Sequence, residues 1–151
     1  MWLSDETFKS IIQHTPLISI DLIVRNEQGE VLLGKRVNAP AKGYWFVPGG
    51  RVRKNETLDD AFVRLVREEL GIESGITRAD AKFLGVFEHF YDDCVFDNTI
   101  STHYIVLAYE IIFENIGEEV FFHQHEEIKW VESCEMTVHK YSINYLSGFN
   151  K

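Results

Sequence analysis

The stretch Gly50-Arg51-Val52-Arg53-Lys54-Asn55-Glu56-Thr57-Leu58-Asp59-Asp60-Ala61-Phe62-Val63-Arg64-Leu65-Val66-Arg67-Glu68-Glu69-Leu70-Gly71-Ile72 combines three local signals: a glycine-led loop, an amphipathic segment and a glycine stop. Leu58, Ala61, Phe62, Leu65 and Val66 recur at helical spacing. Thr57 with Asp60 three residues on reads as a capping box at the start, and Gly71 ends the helix. Glu69 lies four residues after Leu65 and three after Val66, so it projects from the edge of the apolar stripe toward the body of the protein. A carboxylate there needs a cation. Arg64 and Glu68, four apart on the outer side, fit a solvated helix pair. A charged helix face accounts for many such acidic clusters. Here the Gly49-Gly50 loop, the spacing to Glu56 and the seam position of Glu69 favour a site.

Outward from this segment the chain alternates strand-like and helix-like patterns. Ser4 to His14 predicts a short helix capped by Ser4, with Phe8, Ile11 and Ile12 on one face and Pro16 beyond its end. From Leu17 to Arg25, Ile18, Ile20, Leu22 and Val24 alternate as in a strand, and Asp21 interrupts the opposite face. The turn Asn26-Glu27-Gln28-Gly29 leads to a returning strand over Val31 to Arg36. Further strands are expected over Tyr44 to Val47, Ala81 to Phe90, Thr102 to Phe113 and Glu127 to Val131, with a closing helix from about Cys134 to Leu146. A mixed sheet with helices packed on its faces follows, an α/β or α+β layered fold.

Length and composition bound the functions available. The 151 residues suit one domain, 1–151. With 45% hydrophobic and 26% charged residues, the profile is that of a globular protein with a real core. No apolar run approaches the ~20 residues that span a bilayer, and Met1-Trp2-Leu3-Ser4-Asp5-Glu6 lacks the regions of a signal peptide, so a cytoplasmic protein with no membrane partner is expected. The net charge of -9 argues against nucleic acid as a partner. Cys94 and Cys134 have neither metal-ligand spacing nor a dense framework and read as reduced structural thiols. The cation that Glu69 calls for would be Mg²⁺ or Mn²⁺ if its site is built from oxygen ligands.

The segment Gly50 to Ile72 resembles the Nudix box, the loop-helix-loop signature of hydrolases that act on a nucleoside diphosphate linked to another group. The resemblance implies the Nudix fold, an αβα sandwich with a mixed β-sheet, and the strands before and after the box fall where that family places them. One position departs from the family's commonest pattern. Directly after Arg64, where a Glu is usual, this chain has Leu65.

Segments outside the box resemble one branch, the GDP-mannose mannosyl hydrolases. They are Thr15-Pro16-Leu17 leading to Asp21, Leu33-Gly34-Lys35-Arg36, the run Gly43 to Val52, His89-Phe90-Tyr91-Asp92-Asp93, Thr102-His103-Tyr104 and Gln124-His125. Proteins of that branch also lack the carboxylate at the position of Leu65. The resemblance implies hydrolysis of GDP-α-D-mannose, with GDP-glucose a second candidate substrate, by attack of water on sugar C1 with inversion. It implies one metal held by the backbone carbonyl of Gly49 and the side chains of Glu69 and Gln124. Arg36 and Arg51 would donate to diphosphate oxygens, Tyr104 would add a hydrogen bond, and Asp21 would hold an arginine or the sugar.

His125 is the candidate general base, since an imidazole titrates near neutrality. A surface histidine beside Glu126 and Glu127 is the plainer reading of the same residue. His123 reads as a bystander and His89 as a support behind the site. The arginines also fit ordinary salt bridges at strand ends. Trp2, Leu3 and Phe8 are large apolar residues near the amino terminus, to be buried either within one subunit or, as the resemblance implies, in a homodimer where this segment contacts the guanine of a neighbouring site. Two rivals remain: a nucleoside diphosphate-sugar pyrophosphatase that attacks phosphorus, and a non-catalytic Nudix domain that senses a nucleotide.

Overall fold

The computed structural model describes residues 2–112, 125–132 and 138–146, with the side chains of residues 125 and 126 outside the description. Helix α1, Asp5–His14, begins where Ser4 Oγ accepts from the Thr7 backbone N–H. Then come β1 (Leu17–Arg25), β2 (Val31–Arg36), β3 (Trp45–Phe46), β4 (Gly49–Arg51), α2 (Leu58–Leu70), a 3₁₀ turn (Arg78–Asp80), β5 (Lys82–Tyr91), β6 (Thr102–Ile112), β7 (His125–Val131) and α3 (Lys140–Leu146). Among the described residues no helix is long and apolar enough to cross a membrane.

The seven strands form one mixed sheet in the order β3-β2-β1-β6-β5, with β4 paired to β1 and β7 to β2. Among the described strands only β1 and β6 pair in parallel, from Leu17 beside Tyr104 to Arg25 beside Ile112. Side-chain alternation then fixes two cores. Ile20, Leu22 and Val24 point to one face, where they pack with Phe62, Leu65, Val66 and Leu70 of α2. Ile23 points to the other, with Trp45, Phe46, Val47, Tyr145 and Leu146. This is the expected αβα sandwich, and Asp21 lies on the α3 side of it.

The sheet parts at β1. Only Arg25 of β1 pairs with β2, at Val31, whereas Ser19 to Asp21 pair with Arg51 to Gly49 of β4. The same stretch of β1 keeps β6 on its other edge. Strand β4 was not foreseen, because a Gly-Gly-Arg run carries no strand pattern of its own; proximity to β1 imposes it. A Cβ at Gly49 would collide with the Ile20 carbonyl, so glycine is what lets the two backbones approach.

Helix α2 starts and stops where expected, with one difference in its cap. Thr57 Oγ1 accepts from the Asp60 N–H at 3.1 Å, but the Asp60 carboxylate takes the Thr57 hydroxyl at 2.7 Å instead of returning to the Thr57 backbone. The expected capping box is therefore only half formed. Gly71, at φ +71°, closes the helix by donating to the Arg67 carbonyl. The closing helix is also shorter than its apolar pattern predicted. Val138 bridges Trp45 and the His139 N–H donates to the Trp45 carbonyl, so the chain is extended there and turns helical only at Lys140. Residues 133–137, including Cys134, lie outside the described residues.

Candidate active site

The parting of the sheet opens a cleft lined by Ser19 and Asp21 of β1, Arg36 at the end of β2, Gly49, Gly50 and Arg51 of β4, His89 and Tyr91 of β5, and Tyr104 of β6, with Pro40, Phe46 and Val47 at its side. Five of the residues singled out from sequence thus meet in one place: Asp21, Arg36, Gly49, Arg51 and Tyr104. Gln124 lies outside the described residues. The backbone of His125 stands opposite Arg36 in the β2–β7 pairing, after a bulge at Gly34–Arg36, so strand β7 brings it to the same end of the sheet.

The loop that carries Gly50 and Arg51 is held by Arg64. Its guanidinium donates to both carboxylate oxygens of Glu56 at 2.6 and 2.9 Å, to Glu68 Oε2 at 3.0 Å and to the Arg51 carbonyl at 2.9 Å. Glu56 in turn accepts from the Arg53 N–H at 2.9 Å. This corrects the solvated pair expected for Arg64 and Glu68: the arginine side chain is only 11% exposed and locks loop to helix. The hydrogen bonds from Arg64 hold Glu56 below the usual carboxylate range.

Two further carboxylates are shifted the other way. Asp21 is pushed up to about 7, chiefly by burial, against the opposing effects of its hydrogen bond from Tyr145 and the charge of Arg36. Glu69 is likewise raised to about 7, by burial and then by the neighbouring charge of Glu68, with Arg36 and Arg64 opposing. Glu69 is 3% exposed on the seam of α2, as expected, but it is not part of the cleft wall. Arg36 faces both carboxylates electrostatically, and its Nε donates to the Pro40 carbonyl at 2.7 Å.

Arg51 has no acidic partner of its own among the described residues. Burial holds its guanidinium below the ordinary arginine value, and its one stacking partner is the Phe8 ring, 4.2 Å away. Phe8 and Leu3 are half-buried, whereas Trp2 is 86% exposed and stacks on Arg53 at 5.0 Å. The amino-terminal aromatics therefore meet the box-loop arginines within one chain.

His89 forms part of the cleft wall and does not support it from behind, because alternation along β5 turns residues 87, 89 and 91 to the α3 side. Burial, and the proximity of His139, lowers it to about 4, so it is neutral at physiological pH. Sequence reading missed Ser19 and Tyr91, which reach the cleft through strand register, and Tyr141 and Tyr145, which the docking of α3 sets behind His89 and Asp21. Leu65, 2% exposed, lies in the α2 core, and a Cβ on Gly50 would sit 2.6 Å from its Cδ2.

A layered mixed sheet with this loop-helix-loop at its open end defines the Nudix fold. A sequence model of the NUDIX domain matches residues 15–145, and the chain belongs to that family. The low-salt glycan biosynthesis protein Agl8 of Haloferax volcanii is 41% identical over 148 residues, covering 98% of this chain and 91% of its own length. The ADP-ribose pyrophosphatase of Methanocaldococcus jannaschii is 40% identical over 57 residues, 38% of this chain and 33% of the relative. The crystal structure of the MutT NUDIX hydrolase from Burkholderia pseudomallei superposes with a TM-score of 0.68 at 24% identity, covering 89% of this chain and 98% of that one.

Nudix hydrolases generally use divalent metals, and the donors present suit one. Glu69 is a buried carboxylate whose ionisation a cation would favour, and its oxygens are the hard donors such an ion takes. Among the described residues no three His, Cys, Asp or Glu side chains converge as a metal cluster.

Proposed function

We propose that this chain hydrolyses GDP-α-D-mannose, with GDP-glucose a second candidate substrate, to GDP and the free sugar by attack of water on sugar C1. The observation that carries the reading is the composition of the cleft. Arg36, Arg51 and Tyr104 place donors around one opening, while Leu65 occupies the core where a further box carboxylate would stand. The positive groups are thereby concentrated on a diphosphate, and carboxylates able to hold several metal ions around an attacking hydroxide are lacking at that position. That arrangement suits departure of GDP from carbon. The glycan biosynthesis relative supports a sugar-bearing substrate.

In this reading Arg36 and Arg51 bind the diphosphate oxygens, which are the leaving group, and Tyr104 donates to the same anion. Arg51 is well suited because, among the described residues, no carboxylate occupies its donors. Asp21 accepts from a sugar hydroxyl and sets the ring over the cleft. His125 removes the proton from water as its oxygen bonds to C1; the C1–O bond breaks and its electron pair leaves on the β-phosphate oxygen of GDP. Inversion follows from attack opposite the leaving group and gives β-D-mannose. Gly49, Glu69 and Gln124 would hold one Mg²⁺ or Mn²⁺, which when bound neutralises charge on the diphosphate.

A panel of nucleoside diphosphate sugars with product analysis tests the proposal. GDP plus mannose is the expected outcome. GMP plus mannose 1-phosphate would instead establish the pyrophosphatase, and binding without turnover a nucleotide sensor.

A further inference from the structure

Helix α3 contributes two tyrosines, four residues apart and hence on one face, that the proposed reaction does not use. Tyr145 is fully buried, and its hydroxyl donates to Asp21 Oδ2 at 2.9 Å. This is the hydrogen bond the Asp21 side chain makes among the described residues. Its other oxygen, Oδ1, lies beside Gly49, where a Cβ would come within 3.2 Å of it. Tyr141 stacks face to face on His89, with ring centroids 4.0 Å apart and an interplanar angle of 6°. The Tyr141 hydroxyl accepts from the Phe90 N–H at 2.8 Å and donates to the Phe90 carbonyl at 3.0 Å, tying the helix to strand β5. On the other side Ser142 Oγ accepts from the Val47 N–H at 3.1 Å.

Asp21, His89 and Val47 of the cleft are therefore each held by a partner on α3 that does not itself line the cleft. Without that hydrogen bond from Tyr145 the buried Asp21 carboxylate would be free to rotate about its terminal torsion, which is broad and weakly restrained. The Tyr145 hydroxyl removes that freedom. We propose that Tyr145 is a positioning residue that fixes the Asp21 carboxylate so that Oδ1 is presented to a hydroxyl of the bound sugar, with Tyr141 holding the adjoining His89 wall. The sugar in this statement rests on the function proposed above; the geometry does not. Helix α3 then serves as a brace for the sugar side of the cleft, apart from the arginines that hold the diphosphate. A displacement of about 1 Å in such a group can cost about 10²-fold in rate.

A double-mutant cycle on the full chain tests the proposal, with Tyr145→Phe, Asp21→Ala and the pair. Rates are taken on whichever nucleoside diphosphate sugar the wild type turns over, and GDP binding by calorimetry. Tyr145→Phe is expected to lower kcat about 10-fold, with KM and GDP affinity within about 2-fold, and to cost less than about 2-fold once Asp21 is already alanine. An equal loss in both backgrounds, or no loss in the first, overturns the proposal. A crystal structure of Tyr145→Phe reads the geometry without turnover. A rotated Asp21 carboxylate is expected, and an unmoved one overturns the inference. The nature of the products reports separately on the proposed function, so either can fail alone.

Discussion

Replacing Glu69 with glutamine should make the metal-free protein more stable at alkaline pH, although the residue is proposed to serve the site. Burial raises this carboxyl from its ordinary 4.5 to about 7. At ~1.4 kcal/mol per pH unit, keeping it ionised in the fold costs about 3 kcal/mol. The sign follows from where the proton sits. Below 4.5 the group is protonated in the folded and unfolded chain alike, so it imposes no penalty. Between 4.5 and about 7 the unfolded chain ionises first, and stability falls as pH rises. Above about 7 the whole penalty applies. Urea denaturation in EDTA should therefore show Glu69→Gln and wild type equal near pH 4 and separated by about 3 kcal/mol in favour of the variant near pH 8. Asp21, also raised to about 7, gives both proteins the same additional slope, so the difference curve isolates Glu69. Adding Mg²⁺ at pH 8 should stabilise the wild type, by ~2.7 kcal/mol at a hundred times Kd, and leave the variant nearly unchanged. A variant less stable than wild type in EDTA at pH 8, or one that gains as much from Mg²⁺, would refute the reasoning.

Leu65→Glu places a charge among Ile20, Leu22, Phe62 and Val66, and should destabilise the fold by several kcal/mol in chemical denaturation unless added metal rescues it; a stable variant that binds no further metal would contradict the core position of Leu65. Arg64→Ala removes the fork joining Glu56, Glu68 and the Arg51 carbonyl, with a loss of about 2 kcal/mol that Arg64→Lys does not restore, since a lysine cannot bind Glu56 bidentately. A homodimer is expected from the exposed Trp2 and the exposed apolar residues Ile18, Val86 and Phe90 on the sheet, so light scattering should give twice the 17.6 kDa of one chain; the single-chain mass at micromolar concentration rules the dimer out.

Much of the frame was legible because it is written in local patterns. Alternation placed β1 and β2 at their observed bounds, and the Thr57 and Gly71 signals placed α2. Where the structure departed, a tertiary contact had overridden a local signal. The apolar period running from Cys134 predicted helix too early because it does not register that Val138 pairs with Trp45. Gly49 to Arg51 form a strand only because β1 lies beside them. Arg64 read as a surface partner of Glu68 since the spacing of four was visible and the eight-residue reach back to Glu56 was not. In the site, Asp21 was legible as a charge interrupting a strand face, and Arg36, Arg51 and Tyr104 only through the motifs that carry the family resemblance. Tyr145 was not, because a tyrosine in an apolar helix looks like core until its hydroxyl is seen to meet Asp21 across 124 residues of chain.

The central claim is the atom attacked, and hydrolysis of GDP-mannose in ¹⁸O-labelled water reads it directly. The label should appear in mannose, initially as the β anomer, with none in GDP. In the same assay His125→Ala should lose about 10²-fold or more in turnover at neutral pH, the reach of a general base. Label recovered in a phosphate product would contradict attack on carbon and leave the pyrophosphatase as the function of this cleft.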